Sequence, residues 1–228
     1  WTRARLPMVL GVSLIGAGML TGAAPDAFGV SLLAGGAPVS AHLLRGGVPP
    51  SDLPVNIVVH QSSYSPRVAN GGRYGAVWHF RGVSASTPRS VTDTTGLDLF
   101  DSGLRGGATA ADFWFRPRGA GTFTYDSSND PSMTGEFYRP VYIGHVSRYT
   151  KTSFVVYTGG SWSPSFREDI QIKVPGAKHF HWLVYGTKSG GGGFNAKAPG
   201  TYAVRARLRR VRTNKTSLFS PPATVTVK

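Results

Sequence analysis

Three arginines, Arg205, Arg207 and Arg209, alternate with Val204, Ala206 and Leu208 near the end of the chain. A period of two puts the guanidinium groups on one face of a β-strand and the apolar residues on the other. Arg210, Arg212 and Lys215 carry the positive charge on into the next turn. Such a stripe can bind anions, whether cell-wall polymers, acidic glycans or nucleic acid. It can equally be a solvated sheet face whose charges discourage edge pairing, and no aromatic residue interleaves its arginines along the strand. His179 and His181 flank Phe180 and share one face of another candidate strand, a geometry for a borderline metal, but no third ligand lies nearby in sequence. Asp93, Asp98 and Asp101 read as turn-forming carboxylates. There is no Gly-x-Ser-x-Gly elbow, phosphate loop or His-Glu-x-x-His helix, so no enzymatic activity is expected. With zero Cys the chain offers no thiolate, disulfide or Cys-based zinc site.

The elements that position these residues are short. Of 228 residues, 40% are hydrophobic and 16% charged, with 30 Gly and 16 Pro, which favours short strands and turns over helices. Residues 1–41 are expected to be a signal peptide and pro-region. Arg3 and Arg5 precede an uncharged run from Leu6 to Ala24, and Gly22-Ala23-Ala24 and Val39-Ser40-Ala41 offer cleavage sites. The alternative is a membrane anchor. The protein is therefore expected to be secreted or held at the cell surface, touching a membrane only through that segment if it stays uncleaved. Charge is uneven: 14 Lys/Arg face 2 Asp/Glu over residues 145–228, against 9 and 8 over residues 45–144.

Two folded segments follow, over residues 54–143 and 146–228. In the first, strands are read at Asn56–His60, Tyr74–Phe80, Ala111–Arg116 and Thr122–Tyr125, with Trp78 and Phe80 on one face. In the second they are read at Asp169–Lys173, at His179–Tyr185 and from Tyr202 through Val204, Ala206 and Leu208, with Gly190–Gly193 as a flexible run. No helical period competes, and turn signals at this spacing describe all-β sandwiches.

The first segment also resembles cupredoxins. The matching words are Tyr64-Ser65-Pro66, Val77-Trp78, Ser90-Val91-Thr92-Asp93, Phe100-Asp101-Ser102-Gly103, Gly121–Tyr125 and Pro131-Ser132-Met133-Thr134-Gly135. The resemblance implies a Greek-key sandwich with the loop before Val91 and the Tyr125–Met133 loop at one end, where the family holds type 1 copper. This chain departs from the family's ligands: Ser127 stands at the Cys position, Asp130 and Arg89 at the two His positions, and only Met133 remains. Type 1 copper needs a thiolate and two imidazoles. Arg89 and Asp130 are then expected either to pair in place of the metal, with Asp126 close by, or to be solvated loop residues. The second segment resembles a fibronectin type III domain, an immunoglobulin-like sandwich, through Pro199–Leu208 and Ser220–Val227. Tyr202 falls at that fold's buried corner tyrosine.

Together these features describe an exported, non-redox binding or structural protein without a cofactor. Its partners would be an anionic cell-surface polymer or another exported protein, with no specific nucleic acid. The alternative is a copper-binding or electron-transfer protein with a remodelled site.

Overall fold

The computed structural model describes residues 53–147, 150–159 and 163–228. The expected signal and pro-region, residues 1–41, lies outside the described residues. The chain is all-β, and among the described residues the sole helical element is a 3-10 turn at Gly107–Thr109. No helix there is long and apolar enough to cross a membrane.

The first sandwich is built from β1 (Val55–Val59), β2 (Tyr64–Ser65), β3 (Val68–Asn70), β4 (Ala76–Phe80), β5 (Thr92–Asp93), β6 (Phe113–Phe115), β7 (Gly121–Ser127) and β8 (Asp130–Arg139). One sheet has the order β2-β1-β4-β6 and the other β3-β8-β7-β5. β1 runs parallel to β4 and β3 parallel to β8, so the chain changes sheets between β2 and β3. Alternation explains the core: Ala76, Trp78 and Phe80 point inward from β4, as do Phe123 and Tyr125 from β7. Trp78 is fully buried at the centre. Its ring centroid lies 5.7 Å from Phe100 and Phe113, 5.3 Å from Tyr125 and 5.4 Å from Phe137. Each such pair adds about 0.5–1.5 kcal/mol beyond the area it buries.

The second sandwich faces a three-stranded sheet, order β13-β10-β9, with a four-stranded one, order β12-β11-β14-β15. Its strands are β9 (Tyr142–Ser147), β10 (Thr150–Tyr157), β11 (Phe166–Lys173), β12 (His181–Thr187), β13 (Gly191–Asn195), β14 (Gly200–Arg210) and β15 (Ala223–Val227). Tyr202 is buried, and its hydroxyl donates to the Ala198 carbonyl at 2.9 Å, closing the corner between β13 and β14. β9 pairs with β10 through Tyr142↔Tyr157 and Ile143↔Val156, and Ile143 packs against the core of this sandwich.

Gly190–Gly193 is not a flexible run. Residues 191–193 pair with β10, where a Cβ on Gly191 would stand 2.2 Å from the Val156 carbonyl oxygen. The glycines permit that close backbone approach.

The sandwiches join through backbone as well as side chains. Thr122 and Leu218 exchange two backbone hydrogen bonds, at 3.0 and 3.2 Å, and Leu208 of β14 packs into the first core. Glu168, fully buried, accepts the Ala120 N–H at 3.0 Å and the Thr158 hydroxyl. Burial is the main reason its carboxyl is pushed up to about 7, against bonds from Thr158 and Ala120 and the attraction of Arg139. Arg139, itself buried, is pushed down by the same desolvation.

Candidate functional site

Two places gather the residues singled out by the sequence. The first is the end of the first sandwich, where Arg89 and Ser90 meet the turn of the β7–β8 hairpin. The expected Tyr125–Met133 loop is instead strand on both sides of a two-residue turn, Ser128-Asn129. Ser127 pairs with Asp130, Asp126 pairs with Thr134, and Pro131, Ser132 and Met133 bulge between them. Proline lacks an N–H for the ladder, which suits it to a bulge. Met133 points into the aromatic core and is buried.

Ser127 Oγ accepts the Ser90 N–H at 3.1 Å and donates to Asn129 Oδ1 at 2.8 Å. Asn129 Nδ2 donates to the Pro88 carbonyl, and Ser90 Oγ receives the Ser128 N–H at 2.8 Å. Arg89 Nη2 lies 3.5 Å from Asp130 Oδ2, while its Nε donates to the Gln61 carbonyl at 2.7 Å. Asp126 forms no ion pair among the described residues, and burial pushes its carboxyl up.

These groups do not fit type 1 copper. Hydroxyl, carboxylate, guanidinium and thioether replace thiolate and two imidazoles, and the Ser127 oxygen is already engaged by Ser90 and Asn129. Among the described residues no three His, Cys, Asp or Glu gather to hold a metal. His179 lies in the turn before β12 rather than on the strand with His181.

The second place is the outer face of the β12-β11-β14 sheet. Arg205, Arg207 and Arg209 project there, paired across the ladder with Gln171, Asp169 and Arg167. Arg205 donates from Nε and Nη2 to Gln171 Oε1 at 3.0 and 2.8 Å. Asp169, fully buried, receives Nε of Arg207 and Nε of Arg209, each at 3.2 Å, and the Gly186 N–H at 3.1 Å. A buried carboxylate held by two guanidinium groups and a backbone donor fixes their positions on a rigid sheet. Arg167 and Lys173 share this face, which thus carries five cations, of which Arg207 and Arg209 contact the Asp169 carboxylate. Desolvation, with Arg207 adjoining, pushes the Arg205 guanidinium below its usual range.

Aromatic rings do interleave these arginines, contrary to the reading of the strand alone. They come from neighbouring segments. The Arg205 guanidinium carbon lies 4.1 Å from the Phe180 ring centroid and 4.3 Å from that of Phe219. Arg207 sits 4.8 Å from Phe219 and 5.6 Å from Trp182, and Arg209 lies 4.4 Å from Tyr185. Each contact is worth about 0.5–2 kcal/mol, more where it is dry. Trp182 and Tyr185 lie three positions apart, which strict alternation would send to opposite faces. Register shifts between β11 and β12 at Glu168, Ile170 and Gln171 bring both rings to the same side, their centroids 5.3 Å apart.

Arg210 does not extend the stripe. It turns to the opposite face, where Nη1 pairs with Asp98 Oδ2 at 2.7 Å across the junction and its guanidinium lies 5.5 Å from the Phe166 ring. Arg212 is exposed in the following turn. The arginines that carry a face are thus Arg205, Arg207 and Arg209. Among the described residues the Nη1 and Nη2 groups of Arg207 have no hydrogen-bond partner, leaving donors for an incoming anion.

No family model matches the chain, and no curated protein matches it. Among solved structures it is similar to the FN1–FN3 domains of chicken CNTN1, at 9% identity over 80% of this chain and 69% of that one, with a TM-score of 0.32.

Proposed function

We propose that this is an exported, non-redox binding protein that attaches to anionic surface polymers through the outer face of its second sandwich. In this reading the first sandwich is a cupredoxin-like scaffold whose metal-binding end has become a hydroxyl and ion-pair closure. The second is a basic, fibronectin type III-like module. The observation that carries the reading is the rigid set Arg205, Arg207 and Arg209, held by Gln171 and the buried Asp169, with Arg207 terminal donors left over. A set of preorganised guanidinium groups binds an anion without first ordering flexible side chains.

The copper or electron-transfer reading is disfavoured by the donor set at Arg89, Ser127, Asp130 and Met133. The test is affinity electrophoresis of the full chain in gels containing an acidic polysaccharide or neutral dextran, across a salt series. Retardation by the acidic polymer alone, weakening steeply with salt, is expected. Equal retardation in both gels, or none in either, would overturn the proposal. Cu(II) and Cu(I) titrations of the same protein decide the rival reading: stoichiometric binding with a thermal stabilisation would revive it.

A further inference from the structure

The cationic face also presents rings to solvent. Trp182 is 49% exposed and Tyr185 61% exposed, on the same side of the sheet as Arg207 and Arg209. A polymer of phosphates alone would make no use of these rings. A ligand whose repeating unit joins a ring with an apolar face to an anionic group would use both. Hexuronate sugars have this form: axial C–H groups on one side stack on aromatic rings, and the carboxylate at C6 reaches past the ring edge.

Single-stranded nucleic acid also joins rings to anions, but its successive bases stack in parallel planes on successive platforms. The Trp182 and Tyr185 rings are inclined at 71° to one another, which does not suit two parallel bases. Consecutive sugar rings in a glycan rotate about their glycosidic bonds and can meet differently tilted platforms.

Resting on the proposed function above, we infer that the ligand is an acidic glycan of the hexuronate class, with Trp182 and Tyr185 as the stacking platform and Arg207 as the carboxylate partner. Aromatic contact with the sugar then adds selectivity that charge alone cannot supply, and the guanidinium fork supplies orientation.

The experiment measures binding of the full chain to four probes: polygalacturonate, neutral dextran, long-chain polyphosphate and oligo-dT. It compares the parent with Trp182→Ala, Tyr185→Ala and Arg207→Gln. Loss of either ring is expected to weaken polygalacturonate binding by about tenfold, the scale of one lost aromatic contact, and to leave polyphosphate binding within about twofold. Arg207→Gln should weaken both. Retained polyphosphate binding shows that a ring variant still carries its arginine face, so loss of fold does not mimic the result. Ring variants that bind polygalacturonate like the parent, or oligo-dT binding tighter than polygalacturonate, would overturn the hexuronate assignment while leaving anion binding intact. Failure of every polyanion to bind would overturn the proposed function itself.

Discussion

Glu168 provides a quantitative test of how the two sandwiches are joined. Its carboxyl is fully buried where Ala120 and Thr158 donate to it, beside Arg139 and the neighbouring Asp169. Its ordinary value of 4.5 is raised to about 7, with desolvation the largest cause and the attraction of Arg139 already opposing it. The folded protein therefore holds this proton more tightly than the unfolded chain, and stability falls as pH rises between those values. Below about 4.5 the group is protonated in both states and contributes no slope; above about 7 the full penalty applies. The gap corresponds to about 3 kcal/mol, at about 1.4 kcal/mol per pH unit.

Glu168→Gln mimics the protonated form: its carbonyl still accepts from Ala120 and no charge is desolvated. Urea unfolding of parent and variant from pH 4.5 to 8 is the assay, and the difference between them isolates Glu168 from Asp126, whose raised carboxyl gives both proteins a slope of the same sign. The two should coincide at the acid end. The variant should be more stable at pH 8 by about 3 kcal/mol, a midpoint shift of roughly 1–3 M urea. A constant difference across this range, or a variant that loses stability most at pH 8, would refute the argument that burial dominates at the junction.

Three further outcomes follow from other contacts. Gly191→Ala should destabilise by about 1–3 kcal/mol by overpacking, and more if β13 detaches, because its Cβ would meet the Val156 carbonyl at 2.2 Å; thermal melts measure this. Asp130→Asn should lower stability by no more than about 1 kcal/mol in chemical denaturation, since its 3.5 Å pair with Arg89 is partly solvated and the neutral Ser127–Ser90 network remains. Tyr202→Phe removes the corner bond to the Ala198 carbonyl and should cost about 0.5–1.5 kcal/mol, seen as a lower unfolding midpoint with an unchanged native circular dichroism spectrum.

The all-β class was legible because period-two runs such as Ala76–Phe80 and Thr201–Leu208 carry their own evidence of one buried face. The corner position of Tyr202 was legible only through the resemblance of Pro199–Leu208 to a fibronectin type III strand, since periodicity marks a buried face and not the hydroxyl bond to Ala198. The β7–β8 hairpin differs from the expected Tyr125–Met133 loop: the resemblance implies the family's metal-binding loop, whereas without a metal's ligands the backbone groups pair with one another. The expected flexible run Gly190–Gly193 proves to be strand at Gly191–Gly193, because composition records what glycine permits and not which neighbour demands it. Arg210 was assigned to the stripe by adjacency, although its parity sends it to the other face.

Sequence by itself determined that Arg205, Arg207 and Arg209 share a face, because strand alternation is a local property of the backbone. Only tertiary structure decided what that face is. Its rings belong to Phe180, Trp182, Tyr185 and Phe219, and its organising carboxylate to Asp169, on segments brought beside β14 by ladder register and a bulge. Which side chains meet across a sheet depends on pairing between distant segments, and a spacing measured along one strand carries no record of that pairing.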